Sequence, residues 1–254
     1  MMSPRHRVIP ALLLALLVIV TLPGFAIDVV HLTLGTLEGP GWSADAVSVQ
    51  LQRLDERHAG LRLQTQSVTL PDGLGELSGV TLTCARAQLT ATAVNCSQGI
   101  LKAQSTLLGG QTIQTAFSYQ LDTGRVNAEL LGISIHEGTL ALTADLSGTR
   151  WQVKARGAAL SLPAVTRQLA AAGFSIPVVA GNGQLNFTAS MNGAGAQLND
   201  ANVEMQLLAE EISDAAGTVA GENLDVSVHA AVTVAAPGMQ VALDVTGRQG
   251  ALYV

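Results

Sequence analysis

Leu185 to Met191 reads LNFTASM, with Leu185, Phe187, Ala189 and Met191 apolar and Asn186, Thr188 and Ser190 polar between them. Successive side chains of a strand point to opposite faces, so this period of two predicts a β-strand with one apolar face and one wet face. The same rule extends downstream through Val203, Met205 and Leu207, then Leu224, Val226 and Val228, then Met239, Val241, Leu243 and Val245. Upstream it runs through Trp151, Val153 and Ala155; Leu140, Leu142 and Ala144; Ile133 and Ile135; and Val80, Leu82 and Cys84. It continues towards the N-terminus through Leu61 and Leu63; Val47, Val49 and Leu51; and Leu32 and Leu34. Repetition on this scale predicts a sheet of many strands, about 12 of them, which at roughly 4.8 Å each would be about 60 Å long.

Turn formers separate the runs, as consecutive antiparallel strands require: Pro40-Gly41, Pro71-Asp72-Gly73, Asp122-Thr123-Gly124, Glu137-Gly138 and Pro237-Gly238. Asp122-Thr123-Gly124 and Glu137-Gly138 are the expected hairpin tips. One stretch departs from the period of two. Pro163 to Ala172 predicts a short helix with Leu162, Val165 and Leu169 on one face and Gly173 as its stop, capping one end of the sheet. Pro177 and a Gly181-Asn182-Gly183 turn then restart the strands. No helix follows each strand, which excludes a parallel α/β architecture. The period alone fits either a closed barrel or sandwich or a long twisted sheet with one face kept from water.

Composition points the same way. Charged residues are 13% of the chain and aromatics 3%, while apolar residues reach 48%, so the apolar mass comes from Ala, Val and Leu, with about half the usual charge of roughly 25%. Leaving out Arg5 and Arg7 of the leader, 11 basic residues stand against 19 acidic ones, a formal charge of −8. A duplex binder needs a basic face to displace counterions, and the scattered arginines with Lys102 and Lys154 draw none, so nucleic acid is excluded as a partner.

Residues 1–27 form a leader distinct from the β-rich body of 28–254. Arg5, His6 and Arg7 precede an uncharged run from Val8 to Ile27 with a Leu/Val/Ile-rich centre, the pattern of an export signal. Pro23-Gly24 followed by the small residues of Gly24-Phe25-Ala26 would allow cleavage between Ala26 and Ile27. The run is also long enough to span a bilayer, with the arginines holding its N-terminal end in the cytoplasm. Cleaved signal and retained transmembrane anchor both stay open.

Cys84 and Cys96, an even count in an exported chain, are expected to form a structural disulfide. Chemistry is otherwise sparse. Gly41-Trp42-Ser43-Ala44-Asp45 carries Asp where a nucleophile elbow needs its second Gly. His31, His58, His136 and His229 stand apart, with no zinc-type spacing. Glu210, Glu211 and Asp214 read as a solvated turn, and Asn199-Asp200-Ala201-Asn202 lacks the glycines of a calcium-binding repeat. No phosphate-cradling glycine motif is present, so neither a catalytic site, a metal nor a cofactor is expected.

The region from about Leu160 onward resembles the AsmA-like envelope proteins, the group that includes TamB, YhdP and YdbH. Leu160-Ser161-Leu162-Pro163 enters a short helix, Gly183-Gln184-Leu185-Asn186-Phe187 opens a strand, Asn192-Gly193 turns, and Leu198 leads into the strand of Val203, Met205 and Leu207. Glu38-Gly39-Pro40-Gly41-Trp42 resembles the first turn after the membrane segment in these proteins. The resemblance implies a twisted β-groove, exported across or anchored in the inner membrane of a Gram-negative bacterium, along which phospholipid passes between the inner and outer membranes. It implies phospholipid, the inner membrane and other envelope proteins as partners, a periplasmic location and no catalytic residue. Leu185, Phe187, Met191, Val203, Met205 and Leu207 are then the expected groove lining. The competing expectation is an exported structural or interaction scaffold whose apolar faces close on each other. Gly250 to Val254 reads as the start of another strand, which points to a fragment or to one part of an assembly.

Overall fold

Alternation becomes one antiparallel sheet of 13 strands, laid side by side in the order in which the chain makes them. The structure is a computed structural model that describes residues 28–39, 42–70, 75–105, 108–171, 173, 179–195, 197–214, 216–218, 220–235 and 238–253. The strands are β1 (Val29–Gly39), β2 (Trp42–Arg53), β3 (His58–Thr69), β4 (Glu76–Leu89), β5 (Ala93–Ser105), β6 (Gly109–Gln120) and β7 (Val126–Ile135). After them come β8 (Gly138–Ser147), β9 (Arg150–Ser161), the helix α1 (Leu162–Ala171), β10 (Val179–Ala194), β11 (Gln197–Asp214), β12 (Ala220–Ala235) and β13 (Gly238–Tyr253). The order is a meander with β1 and β13 at its edges. Thirteen strands at roughly 4.8 Å spacing span about 58 Å. Among the described residues no helix is long and apolar enough to cross a membrane. The leader, its Ala26/Ile27 junction, and the turns at Pro40-Gly41 and Pro71-Asp72-Gly73 lie outside the described residues.

Bulges preserve one face where the chain loses its period of two. Leu130 and Ile133 are three residues apart, yet Leu130 pairs with Leu142 and Ile133 with Leu140, because the extra residue is absorbed at Leu131-Gly132. Gly157 and Leu160 share a face in the same way, with Ala159 taking the extra step at φ 52°. The Ala159 N–H there donates to Asn186 Oδ1 at 2.9 Å. Each bulge therefore resets the phase and returns the next apolar residue to the same side.

Several local expectations change. The hairpin expected at Glu137-Gly138 is present with its tip one residue earlier: His136 and Glu137 make the turn, His136 with φ 51°, and Gly138 opens β8. Gly138 is required for packing, since a Cβ there would stand 2.7 Å from Leu160 Cδ2. Gly181-Asn182-Gly183 and Asn192-Gly193 are not turns but parts of β10, paired with β11. Asn199 to Asn202, and Glu210, Glu211 and Asp214, likewise lie within β11. Gly250 to Tyr253 does not start a new strand: Ala251, Leu252 and Tyr253 pair with Glu222, Gly221 and Ala220 as the end of β13.

The helix forms where expected and stops at Gly173, whose φ of 91° suits a C-terminal cap. Its buried residues are Ala164 and Thr166, while Leu169 is 39% exposed. The helix begins at the residue after β9, so the strand sets its roll and the expected Leu162, Val165, Leu169 stripe is only partly used. Thr166 anchors it, its hydroxyl accepting the Val179 N–H at 3.2 Å where β10 begins.

Cys84 and Cys96 are joined, with their Cα atoms 6.1 Å apart. Both are on one face of β4 and β5 and pack with Ala87, Leu61 and Phe117. Cys84 is opposite Gly99, and a bulge separates Gly99 from Cys96, so the bond locks the register across that irregularity. Replacing both cysteines by serine is expected to cost up to about 3 kcal/mol by the loop-closure argument, read as a lower urea midpoint of the double variant against the oxidised parent.

Candidate functional site

The ladder registers connect the apolar stripes into rows that cross the sheet in two spans, β1 to β6 and β7 to β13. Leu32, Val49, Leu63, Leu82, Leu101 and Ile113 pair in succession from β1 to β6. From β7 to β13 the succession is Ile133, Leu140, Gly157, Phe187, Met205, Val228 and Val245. A neighbouring row runs through Leu130, Leu142, Ala155, Ala189, Val203, Ala230 and Leu243. Across the β6 to β7 junction Leu130 meets Thr115 and the apolar pair is Phe117 with Ala128, so one face is largely apolar from edge to edge.

The six expected lining residues come together on that face. Leu185 pairs with Leu207, Phe187 with Met205, Ala189 with Val203, and Met191 with Ala201. Leu185, Phe187, Val203, Met205 and Leu207 are half-buried, and Met191 is 38% exposed. An interior residue of a two-layer core would be sealed far more completely. Apart from ladder neighbours, the principal packing among the described residues is that of α1 on β9 and β10. The N-terminal end of α1 lies over the apolar face there, since a Cβ on Gly183 would be 3.1 Å from Leu162 Cβ and 3.3 Å from Ile212 Cγ2.

Three contributors escaped the sequence reading as site residues: Gly157, Trp151 and Gln111. A Cβ at Gly157 would collide with the Phe187 ring, so the glycine is the seat on which that ring lies. Trp151 covers Gly193 in the same manner, and its indole N–H donates to Gly195 O at 3.1 Å. An interior strand glycine is the available signal for such a close approach. Gln111 is polar on the apolar side and buried, but it is satisfied: Nε2 donates to Leu108 O and Ser134 O, and Oε1 accepts the Ser134 N–H at 3.0 Å.

The opposite face is polar. Thr188, Glu204, His229 and Asp244 pair in succession there, as do Asn95, Ser118, Asn127, Asp145 and Gln152. The second row lines an open trough of about 530 Å3. Beside it, hydrogen bonding to the Asp145 carboxylate holds the Arg125 guanidinium above its ordinary pKa. At the β2 to β3 turn, the Arg57 backbone N–H and then the His58 side chain hold the Asp55 carboxyl below the usual carboxylate range. His31 hydrogen-bonds with Ser48 Oγ at 2.8 Å, and His136 is near Gln168 on α1. These contacts tie turns and strands; they set the Ser48 hydroxyl beside His31, with no carboxylate hydrogen-bonded to that imidazole among the described residues. Among the described residues no group of three or more His, Cys, Asp or Glu could hold a metal ion. Comparison with protein-family models, with curated proteins and with solved structures finds no match for this chain.

Proposed function

We propose that this chain is a cell-envelope protein that contributes to phospholipid transport between inner and outer membranes, with acyl chains travelling along the apolar sheet face. The observation that carries the reading is the extent of that face: apolar rows cross β1 to β6 and β7 to β13 and are joined on the same side by Phe117 and Ala128, and the lining residues of β10 and β11 stay half-exposed. An acyl chain laid across the strands would meet a methyl, thioether or ring at each step of about 4.8 Å. Each CH2 taken from water contributes about 0.8 kcal/mol, so the face offers a path without a catalytic group. The resemblance to AsmA-like proteins gives the lipid, the two membranes and the periplasm. It also suits the leader, whose hydrophobic run would deliver the body to that compartment.

The polar face and the net acidity fit the same picture, because one side must stay wet while the other carries lipid. Exported protein purified without detergent is expected to carry phospholipid, recovered by organic extraction and identified by mass spectrometry. Protein recovered free of phospholipid would overturn the proposal. It would favour the alternative of an exported structural or interaction scaffold whose apolar faces close on each other.

A further inference from the structure

The polar face carries one run of charge that its surroundings leave unanswered. On β9, Arg150, Gln152, Lys154 and Arg156 take successive positions of that face, and all four are exposed. The pairing of β9 with β8 and with β10 is unbroken over these residues, so the alternation that puts them on one side holds throughout. Neither β9 nor β10 contains an Asp or Glu, and β8 has one, Asp145, which Arg125 engages. Opposite Lys154 and Arg156 stand only Thr143, Ala141, Ser190 and Thr188. Among the described residues Arg150, Lys154 and Arg156 have no ion pair. In a body where acid outnumbers base, this is a local reversal of sign.

We propose that this strip docks an extended acidic peptide segment of a partner protein, its carboxylates laid against Lys154, Arg156 and Arg150. The width of the strip selects a narrow partner. Glu129 on β7 is two strands from Lys154, and Glu204 on β11 is two strands from Arg156, each about 9.6 Å away. That is close to the Debye length of about 8 Å at physiological salt, so a flat anionic surface such as a bilayer would meet these carboxylates together with the cations. A single chain running along β9 meets the cations alone. The spacing selects a peptide: Lys154 and Arg156 stand about 6.6 Å apart, the two-residue step of an extended chain. Glu or Asp at alternate positions of the segment comes opposite these two, and a third, two further steps along, comes opposite Arg150. Arginine receives a carboxylate through two parallel N–H bonds. There is room on both flanks, since Gln152 and Lys154 line the trough of about 530 Å3, and Arg150 and Gln152 line another of about 470 Å3. Three charges in the width of one strand fall short of the basic face that a duplex needs.

A partner held on the polar face leaves the apolar face open to lipid, and the docking depends on the charges of β9 whether or not lipid is carried, so the two readings fail separately. The test is fluorescence anisotropy of fluorescein-labelled decapeptides titrated with the exported protein. A peptide of alternating Glu and Thr is expected to bind with a Kd below about 100 μM, and one with the same five Glu in a single block at least about threefold more weakly. Lys154→Glu with Arg156→Glu is expected to weaken the alternating peptide at least about tenfold and to create binding of a peptide of alternating Lys and Thr. Arg62→Glu with Lys102→Glu makes the same change of net charge on the polar side of β3 and β5 and should leave the Kd within about twofold. No binding of the alternating acidic peptide at about 100 μM would overturn the inference, as would equal affinity for the two acidic peptides or equal losses in the two double variants. Binding of phosphatidylglycerol vesicles that disappears in the Lys154→Glu, Arg156→Glu protein would overturn it in favour of a broad anionic surface.

Discussion

Leu160→Ala is expected to lower the unfolding free energy by about 3–5 kcal/mol, seen as a lower urea midpoint with an unchanged slope. Leu160 is 2% exposed and is among the largest fully buried side chains. Its surroundings are built to receive it: a Cβ at Gly138 or Gly157 would stand 2.7 Å from its δ-methyls, so the neighbouring β8 and its own strand β9 each give up a side chain to make its socket. Relaxation after truncation is restricted. The backbone beside it is held by the Ala159 N–H to Asn186 Oδ1 bond, and α1 begins two residues later. A cavity that cannot collapse keeps its full cost. Leu243→Ala on β13 removes the same atoms from a residue 67% exposed and should stay within about 0.5 kcal/mol. Equal losses at the two positions would show that the apolar side chains of β13 are sealed as Leu160 is, against the exposed face on which the site argument depends.

The contrast between these two leucines also shows what the sequence conceals. Both sit in clean alternating or near-alternating runs, and nothing in the pattern says that one is sealed and the other bare. Alternation records which side of a strand is apolar and carries no information about what lies above that side. The fold was legible because most strands keep phase over three or four apolar residues, as Leu185 to Met191 does. β5 and β6 were harder. In β5 the bulge between Cys96 and Gly99 breaks the phase, and in β6 Gln111 and Thr115 point inward among apolar neighbours.

Bulges account for most of the local errors. Ala159 and Asn223 take positive φ at bulges without being glycine, so no residue type announces them. Gly181 and Gly193 do carry a signal, but an interior glycine serves equally as a turn former or as a seat for a neighbour. Only the facing atoms, Glu211 O for Gly181 and Trp151 for Gly193, distinguish the two. For the candidate site, the six lining positions were legible because they follow one parity along two strands. Their partners Gly157 and Trp151 were not, since the cross-strand register that sets a ring over a glycine is a property of pairing and not of either strand alone.

Phe187→Asp combined with Met205→Asp is expected to reduce phospholipid recovered per protein at least about tenfold while leaving the far-ultraviolet circular dichroism of a β-sheet intact. The two residues are directly opposite across β10 and β11, so both carboxylates fall in the same short stretch of the apolar row. Because both parent side chains are half-exposed, the carboxylates retain water in the empty protein and the sheet can carry them. An acyl chain over the row would strip that water. Dehydrating an unpaired carboxylate costs several kcal/mol, more than the few methylenes resting there contribute at about 0.8 kcal/mol each. Thr188→Asp with Ser190→Asp makes the matching change on the polar face of β10 and should leave lipid recovery within about twofold, since that side already carries Glu204 and Asp244 in register with Thr188. A folded Phe187→Asp, Met205→Asp protein with full lipid recovery would remove these residues from any acyl path. An unfolded one would mean that the face is closed on itself and acts as a core, the outcome that a scaffold predicts and a conduit does not.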